Sequence, residues 1–278
     1  MCIIHTEVII KYLIEKEIDW WRFEQNLGEL NINSITNIFY DEIIEQESEI
    51  YDDTTYDNEN SDFLFYKIND EVKDDLFSDL EFINIEIEKS FCNWIKKLKV
   101  ESRNYRLLEI NTEALFLNFN YTDSLREIYN INNERIFHIH GTCHNPIYGH
   151  NMQNPINYTG EINGLIHDIE DQIIYYFESN KKNVRRIIEN NKSFFYSLSK
   201  INSVHIIGHS LNDIDLPYFE EISNHLKDNA KWYVTFYNKE DYNHHLNQLS
   251  AINLLPTNTT VIHIDKYNSL FSFAGAVL

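Results

Sequence analysis

Three short polar motifs in this sequence contain residue types suited to chemistry on a small molecule. They are Asn-Phe-Asn-Tyr-Thr-Asp at 118–123, His-Ile-His-Gly at 138–141 and Gly-His-Ser-Leu-Asn-Asp-Ile-Asp at 208–215. Carboxylate and amide oxygens stabilise a developing positive charge, and a histidine exchanges protons near neutral pH. Asn, Asp and Ser also form turns and helix caps, so the motifs have a purely structural interpretation as well.

Each motif lies where an apolar run ends, which predicts a common position in the fold. The runs are Ala114–Phe119, Arg135–Ile139 and Val204–Ile207, and the first is almost continuously apolar, as in a strand buried on both faces. Ligands of open parallel sheets bind beyond the carboxyl ends of the strands. The three motifs are therefore predicted to line one crevice.

The chain around these strands alternates apolar runs with helical patterns, which predicts an α/β fold with a parallel, doubly wound sheet over 113–278. Asp213 or Asp215 can cap the helix that follows the third motif, and Pro217 suits its first turn. The predicted strands are 114–119, 135–139, 203–207, 231–237 and 260–264, and the predicted helices after 113 include 163–179, 183–199 and 239–249.

Residues 1–112 are predicted to be a mainly helical region. Apolar side chains recur at helical intervals over 7–30 and again over 72–99, where one stripe contains Leu76, Leu80, Ile83, Phe91, Ile95 and Leu98. Between them, 41–62 contains ten Asp or Glu and no Lys or Arg, which predicts a mobile acidic loop or a frayed helix end.

The composition excludes some classes of function. The 278 residues have a formal net charge of −21 and no concentrated basic face, which argues against binding nucleic acid. Three cysteines without motif spacing are typical of reduced thiols. No signal peptide is visible, and no apolar run approaches the ~18–20 residues that a membrane span needs. A cytoplasmic protein without membrane contact is expected.

Four ordered segments resemble the signature blocks of the bacterial AbiH-like abortive-infection proteins. They are LNFNYTDSLREIY at 117–129, FHIHG at 137–141, YGHN at 148–151 and IIGHSLNDIDLPYF at 206–219. The segment WWRFEQNLG at 20–28 is similar to a further part of that family. AbiH-like proteins in turn resemble the sirtuin-like NAD-handling proteins, which implies a Rossmann-like (sirtuin-like) parallel sheet with an added helical region.

The resemblance implies an antiphage defence protein that cleaves NAD to nicotinamide and ADP-ribose. It assigns catalysis to Asn120, His140 and Asp123, and binding of the dinucleotide to Gly141, Gly208, Ser210 and Asp213. NAD is then the substrate, with no metal. A phage-derived trigger and a homo-oligomer or second chain are the other expected partners.

The sequence departs from the family at one point, which keeps a second function open. Family members begin with a strand and a Gly-rich turn that would cradle the dinucleotide phosphates, whereas Gly28 is the only glycine here before Gly141. A non-catalytic sirtuin-like module that senses a nucleotide or a phage component is the alternative.

The histidines allow a third interpretation, a metallohydrolase. Imidazole and thiolate groups suit zinc, and the candidates are His138, His140, Cys143, His144 and His150. Because FHIHG fits the sirtuin-like pattern without a metal, none is expected. Elsewhere, His205 is predicted to be a core histidine and His209 a turn residue, and the pair His244–His245 is predicted to be solvated.

Overall fold

The computed structural model describes residues 74, 78, 80–82, 84–98, 107–152, 164–254 and 258–271. The helical prediction for 7–30 and the acidic loop at 41–62 lie outside these residues. The chain divides into two compact units, the first within 1–99 and 140–182 and the second within 100–139 and 183–278. The predicted domain boundary at 112–113 stays a prediction.

Strands and helices alternate along the described residues, as the sequence predicts. The strands are β1 (Phe116–Asn118), β2 (Ile136–His138), β3 (Gly141–Thr142), β4 (Asn145–Pro146), β5 (Ser203–Ile206), β6 (Lys231–Phe236) and β7 (Thr259–His263). The helices are α1 (84–97), α2 (Ser124–Tyr129), α3 (Gly164–Ser179), α4 (Val184–Asn190), α5 (Lys192–Ser197), α6 (Leu216–His225), α7 (Lys239–Ala251) and α8 (Tyr267–Phe271).

The second unit contains two small parallel sheets. Strand β1 pairs with β2, Phe116 opposite Ile136, and the other sheet has the order β5-β6-β7. In that sheet Val204 lies opposite Trp232, and Val234 opposite Val261. The expectation of a mixed α/β fold with parallel strands is confirmed, and each of the five predicted strands overlaps an observed one.

The core of the second unit forms where β6 and the helices present apolar side chains. Trp232, Val234 and Thr235 of β6 are buried. Helix α6 buries Tyr218, Phe219 and Ile222, and Ile222 shares a helical face with both of the others because it follows them by about one turn. Full burial of each large apolar side chain stabilises the fold by about 1.5–3 kcal/mol.

The first unit contains α1, the short hairpin β3–β4 and α3. Of the predicted apolar stripe, Leu80, Phe91 and Ile95 are buried, Leu98 directly after α1 is 42% exposed, and Leu76 and Ile83 lie outside the described residues. The Phe91 ring lies edge-on to Tyr148 at 5.4 Å between centroids. No helix in the described parts of the chain is long and apolar enough to cross a membrane.

Candidate functional site

The buried amide of Asn118 organises the turn that follows β1. Its Oδ1 accepts a hydrogen bond from the backbone N–H of Asn120 at 3.0 Å. Its Nδ2 lies 3.4 Å from the carbonyl oxygen of Thr122 and 3.3 Å from Nδ1 of His138 on β2. These contacts fix the backbone of Asn120 while leaving this residue exposed to solvent.

A carboxylate and a histidine meet beside this turn. Nδ1 of His138 is 3.1 Å from the carbonyl oxygen of Asn120, and its Nε2 is 3.9 Å from Oδ1 of Asp123. Asp123 occupies the N-cap position of α2 but its side chain caps no backbone N–H. Its carboxylate instead accepts a hydrogen bond from Arg126 at 2.5 Å. The first motif thus presents a half-exposed carboxylate next to an imidazole.

The turn after β5 has an unusual backbone. Gly208 has φ of +65° and Leu211 has φ of +53°, both in the left-handed region that favours glycine. The N–H of Gly208 donates to Oγ1 of Thr235 on β6 at 3.1 Å. A Cβ on Gly208 would meet only the Tyr237 hydroxyl, at 3.6 Å, within the described residues. The backbone here is therefore accessible to a ligand.

Two predicted binding residues of this turn face solvent. Ser210 and Asp213 are both exposed. Asp213 accepts a hydrogen bond from the side-chain amide of Gln248 on α7 at 2.5 Å.

His209 of the same turn has a definite tautomer. Its Nδ1 accepts a hydrogen bond from the N–H of Leu211 at 2.9 Å, so a neutral ring carries its proton on Nε2. Nε2 lies 3.5 Å from Oδ2 of Asp215. Asp215 is the residue before α6, as predicted for a cap, but its carboxylate caps no backbone N–H. It faces the histidine instead.

Phe119 connects the two turns. Its ring lies edge-on to the His209 ring at 4.4 Å between centroids and stacks on Phe219 at 5.6 Å. The residue before Asn120 therefore contacts the residue before Ser210. The carboxyl ends of β1 and β5, predicted from the sequence to share a site, lie side by side in the second unit.

The FHIHG block is divided between the two compact units. His138 lies in the second unit, whereas His140 and Gly141 lie in the first. His140 is only 3% exposed, and its Nδ1 is 3.4 Å from Nζ of Lys182. The predicted placement of His140 beside Asn120 and Ser210 stays a prediction. Sequence reasoning did not single out His138 for the NAD site. The basic stretch KKNVRR at 181–186 predicts a solvated helix face, whereas its Lys182 is buried.

The prediction that His245 is solvated is wrong. The residue is 4% exposed, because α7 turns it inward while His244 faces out. Burial lowers the pKa of His245, although a hydrogen bond to the backbone of Ser210 opposes that shift. Within the described part of the chain its Nδ1 has no hydrogen-bond partner. His245 thus contacts the turn after β5 through the backbone of Ser210.

His205 agrees with its prediction as a core histidine. It is half-buried on β5, its Nδ1 lies 2.8 Å from the Tyr267 hydroxyl, and burial lowers its pKa.

A cavity of about 400 Å³ lies beyond the carboxyl ends of β6 and β7. The wall is largely aromatic, and the His263 ring is held by a 2.8 Å contact from Nε2 to the carbonyl oxygen of Tyr237. Since the Tyr237 hydroxyl lies near Gly208, the cavity adjoins the turn after β5. The lining residues are Phe236, Tyr237, Asn238, Lys239, Tyr242 and His263.

The described residues include no group of three or more His, Cys, Asp or Glu placed to hold a metal ion. Cys143 and Cys92 are free thiols in this part of the protein. The metallohydrolase hypothesis therefore has no ligand set among the residues that the structure describes.

Comparison with known proteins gives one family. A family model described as bacteriophage abortive infection AbiH matches residues 3–236. No curated protein matches the chain, and no solved structure does.

Proposed function

Because the chain belongs to the bacteriophage abortive infection AbiH family, we propose that it acts in antiphage defence by cleaving NAD at the carboxyl ends of β1, β2 and β5. The observation that carries this proposal is the contact between Phe119 and His209, 4.4 Å between ring centroids. This contact brings the turn with the exposed Asn120 amide and the half-exposed Asp123 carboxylate next to the turn with the accessible backbone of Gly208.

The second unit offers suitable groups for both parts of a dinucleotide. The open backbone at Gly208 allows a phosphate to approach closely, as side chains would not. The cavity beyond β6 and β7 offers aromatic rings on which a base can stack, with Lys239 at its edge as a cation for a phosphate. A Rossmann-like, sirtuin-like arrangement of the strands is part of this proposal.

The proposed reaction is hydrolysis of the N-glycosidic bond. The bond between the ribose C1′ and the nicotinamide nitrogen breaks, its electron pair stays with nicotinamide, and a water oxygen bonds to C1′. Positive charge builds on the ribose, and the Asp123 carboxylate stabilises it. Asn120 orients the water, which loses one proton to solvent as ADP-ribose forms. The resemblance also assigns a catalytic role to His140.

One observation favours the alternative, a sensing module that binds a nucleotide without cleaving it. Arg126 lies 2.5 Å from the Asp123 carboxylate and offsets part of its charge. An ion-paired carboxylate stabilises a cationic transition state less well, so binding would persist where catalysis is weak. The sequence also lacks the N-terminal Gly-rich turn of the family.

Measuring nicotinamide release from NAD by the purified protein, together with NAD binding, tests both functions. We expect the wild type to release nicotinamide, and Asp123→Asn and Asn120→Ala to lower kcat by 10²-fold or more with an unchanged melting temperature. Glu134→Gln, an exposed acidic residue on the turn before β2, is the matched control and should keep full activity. The same variants are titrated with NAD by calorimetry.

Each outcome separates the two functions. Binding without nicotinamide release in the wild type overturns NAD cleavage and supports the sensing module. A wild type that neither binds NAD nor releases nicotinamide overturns NAD cleavage and the sensing of NAD, and leaves a phage component as the ligand of the sensing module. Full activity in a folded Asp123→Asn protein removes the carboxylate from the mechanism.

A further inference from the structure

Lys182 of the first unit is a buried cation beside a predicted catalytic histidine. It is 7% exposed, and its Nζ lies 3.4 Å from Nδ1 of His140. Lysine is among the residues least often buried, because removing an ammonium from water costs several kcal/mol. A lysine held in this place therefore has a specific role.

The YGHN motif fixes the backbone that carries Lys182. The N–H of Lys182 donates to the carbonyl of His150 at 3.0 Å, and the N–H of His150 donates to the carbonyl of Asn180 at 3.1 Å. A Cβ on Gly149 would lie 2.5 Å from the Asn180 oxygen and 2.7 Å from the Lys182 nitrogen. Only glycine allows the two segments to approach this closely, so Gly149 sets the position of Lys182.

A second tight turn fixes His140. The carbonyl of His140 accepts a hydrogen bond from the N–H of Ile147 at 2.7 Å, across the β3–β4 hairpin. Gly141 has φ of +72°, and a Cβ there would lie 2.0 Å from the Asn145 oxygen. Both members of the Lys182–His140 pair are thus held by backbone geometry that requires a glycine next to them.

The chemistry of this pair determines where the imidazole proton lies. An ammonium group has three donors and no acceptor, so Nδ1 of His140 must accept. A neutral imidazole then carries its proton on Nε2. We propose that Lys182 is a positioning residue that holds His140 in the Nε2-protonated tautomer, so that His140 acts as a hydrogen-bond donor.

This inference changes the chemical role that the resemblance gives to His140. With Nδ1 occupied by the ammonium and Nε2 protonated, the neutral ring donates a hydrogen bond and is not the group that removes a proton. Its consequence for activity rests on the proposed NAD cleavage and on the catalytic role that the resemblance gives to His140. The tautomer itself does not depend on that reaction.

Nitrogen NMR of the full-length protein with ¹⁵N-labelled histidine tests the tautomer directly. His140→Gln identifies the His140 signals by their loss. We expect the wild type to show a single Nε2–H pattern. Lys182→Met should add a measurable Nδ1–H population, and Lys182→Arg, which keeps a cationic donor, should restore the wild-type pattern.

Lys181→Met is the matched control for this experiment. The Nζ of Lys181 lies 2.7 Å from Glu178 and 5.6 Å from the centre of the Phe177 ring, so removing it should leave the His140 pattern unchanged. An Nδ1–H tautomer or a mixture in the wild type overturns the proposal, and so does an unchanged pattern in Lys182→Met. Should Lys182→Met fail to fold, the wild-type and Lys182→Arg spectra still decide.

Activity separates this inference from the proposed function. In a protein that cleaves NAD, Lys182→Met should lower kcat by up to the 10²–10⁴-fold that a positioned proton-transfer group contributes, with KM little changed and Lys182→Arg largely active. A wild type that shows the Nε2–H tautomer but cleaves no NAD overturns the proposed function and leaves the tautomer assignment standing.

Discussion

The turn after β1 and the turn after β5 both end a parallel strand and both place a histidine near an aspartate, yet they differ in packing. His138 is 3.9 Å from Asp123, whose side chain is 44% exposed. His209 is 3.5 Å from Asp215, and both side chains are nearly buried, at 11% and 13% exposed. Phe119 and Phe219 pack against His209 of the second pair, whereas in the first pair His138 is 17% exposed and only the Asp123 carboxylate faces solvent.

The difference shows that one type of motif can serve two purposes. A half-exposed carboxylate can meet a ligand without being desolvated first, so the first turn is suited to chemistry. A histidine packed against Phe119 and Phe219, with both ring nitrogens engaged, mainly stabilises its surroundings. The second turn therefore exposes Gly208 and Ser210 to solvent, while His209 stabilises the conformation of the turn.

The largest expected effect on stability comes from removing that histidine. His209→Ala loses two ring contacts, each worth about 0.5–1.5 kcal/mol, and leaves the Leu211 N–H without its acceptor, which costs about 1–3 kcal/mol. We expect the free energy of unfolding to fall by about 2–6 kcal/mol in urea denaturation. His138→Ala should cost about 1 kcal/mol. Equal losses for the two variants would contradict the comparison.

A smaller effect is expected from pH. Burial lowers the pKa of His245 in the folded state, so the unfolded chain, with an ordinary pKa of about 6.5, binds the proton more readily. Stability is therefore complete above about pH 6.5 and falls as the pH decreases toward the folded-state pKa. His150 and His205 act in the same direction.

Substituting His245 isolates its share of this pH dependence. His245→Gln should lose less stability than the wild type between about pH 6.5 and 5, whereas Asn243→Gln, an exposed change on the same helix that removes no titratable group, should follow the wild type. The measurement is thermal melting across this pH range. Parallel curves for His245→Gln and the wild type would show that the buried ring is not responsible.

The smallest expected effect on stability is at the open turn. Asn120 is exposed and is held through its backbone N–H and carbonyl, so Asn120→Ala should change the free energy of unfolding by no more than about 0.5 kcal/mol. Asn118→Ala, which removes the buried amide beneath it, should cost about 1–3 kcal/mol. A comparable loss for both, measured by urea denaturation, would place Asn120 in the fold rather than at a ligand site.

The sequence predicts the strands of the second unit well because apolar periodicity depends on burial, and burial dominates there. Strand β6 was predicted at 231–237 and is Lys231–Phe236. Its polar Thr235 is buried as deeply as its apolar neighbours because the hydroxyl donates to the Ile206 carbonyl oxygen at 3.2 Å. A hydrogen-bonded hydroxyl therefore allows a polar residue to occupy a buried position in a strand whose other buried residues are apolar.

The site was predicted less completely, because side-chain partners far apart in sequence leave no periodic signal. The contact of Phe119 with His209 joins residues that a single sequence cannot pair. The prediction for His245 is wrong because its helix is polar overall, and the two inward positions, His245 and Leu249, do not change that pattern. Asp215 was correctly placed before a helix, but the direction of its carboxylate depends on where His209 lies.

Thr235, which joins β6 to the turn after β5, also affects how easily the backbone of this turn opens to water. Oγ1 of Thr235, 1% exposed, accepts from the N–H of Gly208, a residue that is itself exposed. The Gly208 amide can exchange its hydrogen with water only when this bond to the central strand breaks. Although it lies at the surface, we therefore expect this amide to be more protected from exchange than an exposed turn without such a bond.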